Sequence, residues 1–371
     1  MMRIAAITFA LCLSAAFAAC STGPTTSDEA PTAVLARPAG SLVQQEALPG
    51  APDGAAAYRI LYRSTGLNNE PIMVSEAIII PQGTPPPAGR PIVAWAHPIS
   101  GVEPQCAPSL ARSFFQQVQG LREMVEHGYV VAATDYPGLG TPETHPYLVG
   151  ISEGRAVLDS VRAARQMPEA GAGGRFVVWG HSQGGQAALF TGLIAKDYAP
   201  ELTLRGVAAA APATDLVTLV NDDFNSVGGK NLTAMTLWSW ARVFNAPINR
   251  VVAPDAVPVI DRLAGECIES IYDILVRRRT ERPLEQCFLL VQNLTGIEPW
   301  RTLLASNTPS ALPPGIPVFL AQGESDQLVR PEVTRAYMRR LCQAGSRVRM
   351  VLLPGVGDGF AARDSASAAV A

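Results

Sequence analysis

Lysine is nearly absent from this chain of 371 residues: Lys196 and Lys230 stand against 27 arginines, the remainder of 29 basic residues. The imbalance is a matter of coding bias rather than function. Basic residues do not gather either, the longest run being Arg277-Arg278-Arg279. With a net charge of −3, the chain lacks the electrostatic footprint that nucleic acid requires. Charge of both signs is sparse, 16% of residues against a usual ~25%, yet hydrophobic residues reach 48%, which excludes wholesale disorder. No CxxC pair or histidine-rich tract occurs, so neither a metal nor a cofactor is expected. Histidine is scarce too: His97, His127, His145 and His181 are all there are, and none lies beyond position 181.

What is present begins with a targeting segment. Arg3 precedes an uncharged stretch over 4–19 that ends in the small residues Ala15, Ala16, Ala18 and Ala19, the pattern of a signal peptide over residues 1–19. Its 16 residues fall short of the ~20 that span a bilayer. Residues 17–20, Phe-Ala-Ala-Cys, resemble a bacterial lipobox with Phe in place of the commoner Leu, so Cys20 is expected to be lipidated and to become the new amino terminus. Ser21 after it favours sorting to the outer membrane, and the alternative is an ordinary cleaved signal and a secreted protein. Residues 20–56, rich in Pro, Ala, Thr, Ser and Gly, read as the lipobox Cys and a flexible tether. Cys12 falls in the signal, which leaves Cys106, Cys267, Cys287 and Cys342 for disulfides, with three pairings open.

From residue 57 onward short apolar runs alternate with helical stretches, the pattern of a mostly parallel sheet covered by helices. Eight strands are expected at 57–64, 73–80, 92–96, 130–133, 176–178, 207–210, 318–321 and 349–353. Helices are expected at 110–127, 151–166, 183–196 and 331–342. The rhythm breaks between Pro212 and Pro317. A crossover normally needs about a dozen residues, so residues 213–316 are expected to be an inserted helical cap between two parts of the core, 57–212 and 317–371; a separate domain is the alternative.

Residues 176–188, Phe-Val-Val-Trp-Gly-His-Ser-Gln-Gly-Gly-Gln-Ala-Ala, place an apolar strand, a G-x-S-x-G turn and an Ala-rich helix in direct succession. A nucleophile elbow needs that context: the sharp turn lifts the Ser182 hydroxyl clear of the sheet edge, and small glycines let strand and helix approach. The helix amino terminus adds positive potential there. Asp326, in the turn after the strand expected at 318–321, is the candidate acid that would orient a histidine, with Glu324 its nearest rival. Chain order then calls for a histidine beyond the last strand. Residues 351–360 supply the strand and turn, but the residue in place is Asp358. Of the four histidines, His127 sits at a helix end and His181 faces into the elbow. His97 and His145 follow earlier strands, as pocket lining, loop braces or a replacement base.

On these residues the chain resembles the secretory lipase family of α/β-hydrolases from residue 57 to its end. The resemblance rests on Ala94-Trp95-Ala96-His97-Pro98-Ile99-Ser100-Gly101, Cys106-Ala107-Pro108-Ser109, Asp135-Tyr136-Pro137-Gly138-Leu139-Gly140-Thr141 and His145-Pro146-Tyr147, with the 180–185 elbow, 323–326 and 353–359. It implies an α/β-hydrolase fold with a helical cap, and an exported esterase or lipase with a Ser-Asp-His triad. Ser182 is then the nucleophile and Asp326 the acid, while Asp358 stands where the family has its base histidine. It also implies a closing helix longer than the stretch that ends at Ala371. The backbone N–H of Gln183 and that of Ile99, with Ser100 in reserve, are the expected oxyanion donors, Pro98 having no N–H. The reading is an exported hydrolase of acyl esters or lipids working through an acyl-serine. Its alternatives are a membrane-tethered binding protein that has lost the base, or a peptidase or polyester hydrolase using the same elbow.

Overall fold

Strict alternation along the central strands gives the sheet two apolar faces. The strands are β1 (Leu42–Ala47), β2 (Ala55–Thr65), β3 (Pro71–Pro81), β4 (Arg90–Ala96), β5 (Val130–Thr134), β6 (Ala172–His181), β7 (Thr203–Ala210), β8 (Val318–Gly323) and β9 (Val348–Leu353). In β4, Val93 and Trp95 join one buried cluster while Ile92 and Ala94 join the other, and in β6 Trp179 and Val178 divide in the same way. The computed structural model describes residues 31–223, 227–269, 273, 277, 279–285 and 288–371. The signal peptide, Cys20 and Cys287 lie outside the described residues.

Among the described residues nine strands form one sheet in the order β1-β2-β3-β5-β4-β6-β7-β8-β9. The run β5-β4-β6-β7-β8-β9 is parallel, and β1, β2 and β3 extend it antiparallel. The α/β-hydrolase class is therefore observed, with one strand more than expected. The extra one, β1, falls in the stretch expected as a tether. Its Gln44, Gln45 and Glu46 are exposed, so this edge strand carries no apolar alternation to read. The chain leaves β4 in one direction to make β5 and returns on its other side to make β6. Such a reversal opens a crevice at the carboxyl ends of the strands, where the loops after β4 and β6 meet.

The helices are α1 (Pro31–Leu35), α2 (Phe114–Gln117), α3 (Leu121–Glu126), α4 (Gly150–Ala164) and α5 (Gln183–Tyr198). Between β7 and β8 come α6 (Leu216–Asp223), α7 (Val227–Val243), α8 (Val257–Ala264) and α9 (Trp300–Ser306); α10 (Pro331–Gln343) and α11 (Ala361–Val370) close the chain. The single helix expected at 110–127 is instead α2 and α3. The first stops before Val118, which is extended at φ −77° and ψ 99°, and Gly120, at φ 82°, precedes the second.

Of the three pairings left open by the cysteine count, Cys106–Cys267 forms, joining the loop after β4 to the segment after α8. Cys342, exposed on α10, is free, so the expectation of two bridges is corrected to one among the described residues. The bridge closes a loop of 161 residues, and chain entropy puts its effect on the order of 5 kcal/mol, with native disulfides generally worth about 2–5. Cys106→Ser with Cys267→Ser is expected to lower the urea midpoint accordingly. An unchanged midpoint would mean that packing alone holds this contact.

Candidate active site

β6 ends at His181 and α5 begins at Gln183, so Ser182 alone makes the turn, at φ 54° and ψ −115°. A non-glycine residue rarely adopts a positive φ, and the surroundings hold it there. The Ser182 N–H donates to the Ala210 carbonyl at 2.9 Å, and its carbonyl accepts from Gln186 at 3.1 Å. Close approach is the second requirement: a Cβ on Gly180 would meet the Gly184 carbonyl, and one on Gly184 would meet the Ala96 carbonyl. Gln183 opens α5, and the N–H groups of a first helical turn have no partner within the helix. They point with the positive end of the helix dipole toward the space beside Ser182.

Gln183 is fixed by its side chain as well. Its Nε2 donates to Glu153 Oε1 at 2.7 Å and approaches His145 Nε2 at 3.2 Å, while His145 Nδ1 donates to the Pro137 carbonyl at 2.8 Å. Burial lowers the His145 imidazole to about 3 and raises the Glu153 carboxyl to about 8, favouring the uncharged form of each. His145 is thus a brace for the elbow. His97 lies 2.6 Å through Nδ1 from the Pro98 carbonyl and 3.2 Å through Nε2 from that of Asp135, lowered to about 4 by burial. It braces the loop after β4. His127 caps α3, its Nδ1 2.7 Å from the Glu123 carbonyl.

The loops after β8 and β9 bring Asp326 and Asp358 together. Asp326 is buried; Oδ1 accepts from the Leu328 and Val329 N–H groups at 2.9 Å each, and Oδ2 from Gln322 Nε2 at 3.0 Å. Asp358 opens a single 3-10 turn, and its Oδ1 is buried without a hydrogen-bond partner, 3.8 Å from His181 Nε2. His181 Nε2 itself donates to the Asp358 carbonyl at 2.8 Å. Burial lowers the His181 imidazole to about 4, so it remains neutral beside the pair. Both carboxyls are raised well above the usual carboxylate range: Asp326 by burial and then by the charge of Asp358, Asp358 by burial.

That shift makes stability depend on pH in a known direction. Each folded-state value lies above the unfolded value of about 3.9. The contribution is therefore full below about pH 4 and is lost as pH rises through the raised values. Asp358→Asn removes one charge of the pair, so its Tm is expected to exceed that of the parent by several degrees at pH 8, with the gap closing near pH 4. A gap that does not vary with pH would separate Asp358 from Asp326 electrostatically.

Two cavities meet this site. One, about 370 Å³, is lined by Ile99, Ser100, His181 and Asp358; the other, about 40 Å³, is lined by Ser182 and Gln183. Leu232 and Leu328 border both. A roomier hollow of about 700 Å³ lies beside α11 around Arg205, Arg347 and Arg349 and touches none of the candidate residues. Glu153 and Gln322 are site residues that sequence reasoning does not single out. Gln322 is a lone polar residue near the end of an apolar strand, and Glu153 is one of several polar residues in α4, so neither stands out in the sequence.

The family described as secretory lipase matches residues 115–354, more than half of the chain. A Mycobacterium tuberculosis protein named "probable inactive lipase" is 27% identical over 176 residues, covering 44% of this chain and 39% of that protein. A secreted triacylglycerol lipase of Malassezia globosa is 25% identical over 334 residues, covering 85% of this chain and 69% of the lipase. Among solved structures, Candida antarctica lipase A in its closed state matches with a TM-score of 0.72 at 16% identity, over 92% of this chain and 84% of that one. A mutant of the rice cell wall degrading esterase of Xanthomonas oryzae matches with a TM-score of 0.71 at 21% identity, over 90% and 97%.

Proposed function

Because the chain belongs to the secretory lipase family, we propose that it is an exported serine hydrolase of carboxylic esters, with Ser182 as nucleophile. The observation that carries this reading is the Ser182 turn, held at positive φ between β6 and the amino terminus of α5. Ser182 Oγ attacks the ester carbonyl, the acyl C–O bond to Ser182 forms, and the bond to the alcohol breaks. Water then releases the acid and regenerates the serine. The N–H groups of Gln183 and Ile99 stabilise the oxyanion. Asp326 is the acid of the triad, and Asp358 occupies the place of its base. No metal or cofactor has a role in these steps. The family supports export, and the residue pattern over 1–19 agrees with it; the Phe-Ala-Ala-Cys motif at 17–20 is the sole basis for Cys20 as a lipid anchor in a bacterial envelope.

A second reading, a tethered binding protein without turnover, is favoured by Asp358 itself. A carboxylate is a far weaker base than imidazole near neutral pH. A panel of p-nitrophenyl acyl esters, peptides and polyesters, run beside a fluorophosphonate probe with intact-mass detection, separates the readings. Ester turnover lost in Ser182→Ala supports the hydrolase; peptide cleavage alone would replace it with a peptidase. Ester binding without turnover or labelling would favour the binding protein. For the anchor, Cys20→Ser should release the protein from bacterial membranes, and a soluble mature form starting elsewhere would reject lipidation.

A further inference from the structure

The two cavities divide the candidate site by chemistry as well as by size. In ester cleavage the proton taken from the serine is returned to the departing alcohol oxygen. The alcohol must therefore lie toward the base position, and Asp358 lines the 370 Å³ cavity. The acyl chain is left with the other direction, into the 40 Å³ cavity that touches Ser182 and Gln183. That space is closed by Leu216, Leu219 and Val220 of α6, all buried in the main core cluster. Since one water needs about 10–15 Å³ of such volume, the cavity holds about three atoms of that size.

Resting on the reading of Ser182 as nucleophile, we propose that this chain selects esters of short acyl groups, about two to four carbons, on a larger alcohol, and that Leu219 and Val220 set the limit. The wall is built rather than incidental: α6 is anchored at its start, where Asp215 Oδ1 accepts from the Thr218 N–H at 3.0 Å and Thr308 Oγ1 from the Leu216 N–H at 3.2 Å. The alcohol side is wide enough for a group many times larger, with the buried Ser100 hydroxyl unpartnered in its wall.

The test compares rates of one step at one serine, so the altered base scales every rate alike and the ratios report chain length. A series of p-nitrophenyl alkylphosphonates with ethyl, butyl, octyl and dodecyl chains phosphonylates an accessible serine: the Ser–O–P bond forms, p-nitrophenolate leaves and the serine proton passes to solvent. Intact mass on the whole chain gives the rate for each chain length. Ethyl and butyl probes should label Ser182 at least about tenfold faster than octyl and dodecyl, since even one misplaced methylene costs about that much. Leu219→Ala, or Val220→Ala should the first fail to fold, should raise the octyl-to-ethyl rate ratio several-fold. Labelling of Ser182 at equal rates across the series would overturn the short-acyl inference and leave the nucleophile standing. Labelling that persists in Ser182→Ala, or none with any probe, would overturn both.

Discussion

Replacing Asp358 by histidine is expected to raise kcat for a short-chain ester by roughly 10³-fold or more, because loss of the base from a serine triad typically costs 10⁴–10⁶. The reason is what the two groups do with a proton. Neutral imidazole takes the Ser182 proton and returns it to the alcohol near its own pKa. Asp358 cannot be oriented by Asp326 in that way: the two repel, and each is raised into the protonated direction instead. Asp326 has room for the missing partner. Its carboxylate offers about four lone-pair positions, of which Leu328, Val329 and Gln322 use three. An imidazole at 358 could take the fourth while the main-chain bond from His181 stays in place. The measurement is steady-state turnover of p-nitrophenyl butyrate by Asp358→His beside the parent. A folded variant that binds the ester without a gain in kcat, together with residual activity untouched in Ser182→Ala, would dismantle the assignment.

The elbow is the part of this site most legible in the sequence, because backbone crowding dictates residue type there. A Cβ on Gly180 or Gly184 would collide with main chain, so glycine must flank Ser182 where β6 turns into α5 beside the end of β4. Asp326 is legible only by its place in the turn after an apolar strand, where Asp is also a common turn residue and Glu324 stands as a rival. The Asp326–Asp358 pair is foreseeable only as two neighbouring turns, since their burial depends on the loops folding over them. Glu153 is not legible. A glutamate in a helix is ordinary, and only the packing of α4 against α5 turns it inward to Gln183.

Elements whose stability comes from tertiary contact are hidden in the same way. β1 exists because β2 supplies its hydrogen bonds, and its own residues carry no alternating pattern. The break between α2 and α3 comes at Val118, a residue that carries no stop signal, and at Gly120, which helices tolerate at a cost of ~1 kcal/mol. Acyl-chain length leaves no mark in any one segment, because the space beside Ser182 is bounded by α6 and α7 from one part of the chain and by Leu328 from another.

Gly184→Val should be the most damaging single change to the fold near the site, costing about 4 kcal/mol or more where overpacking ordinarily costs about 1–3. Gly184 is the second residue of α5, and a Cβ there would run into the Ala96 carbonyl group and the His97 carbonyl oxygen. Those atoms are main chain at the end of β4, so no rotamer change can make room. Relief requires α5 to move off the sheet, and Ser182 and Gln183 would move with it. Gly265→Ala is the control, because its φ of −73° suits any residue and the nearest outside atom, the Arg262 carbonyl oxygen, lies 3.4 Å away. Thermal and urea unfolding of both variants decides the matter. Gly184→Val is expected to be recovered poorly or to melt far below the parent, with Gly265→Ala close to it; a Gly184→Val protein with parental stability would show that strand and helix are not in the close contact on which the Ser182 turn depends.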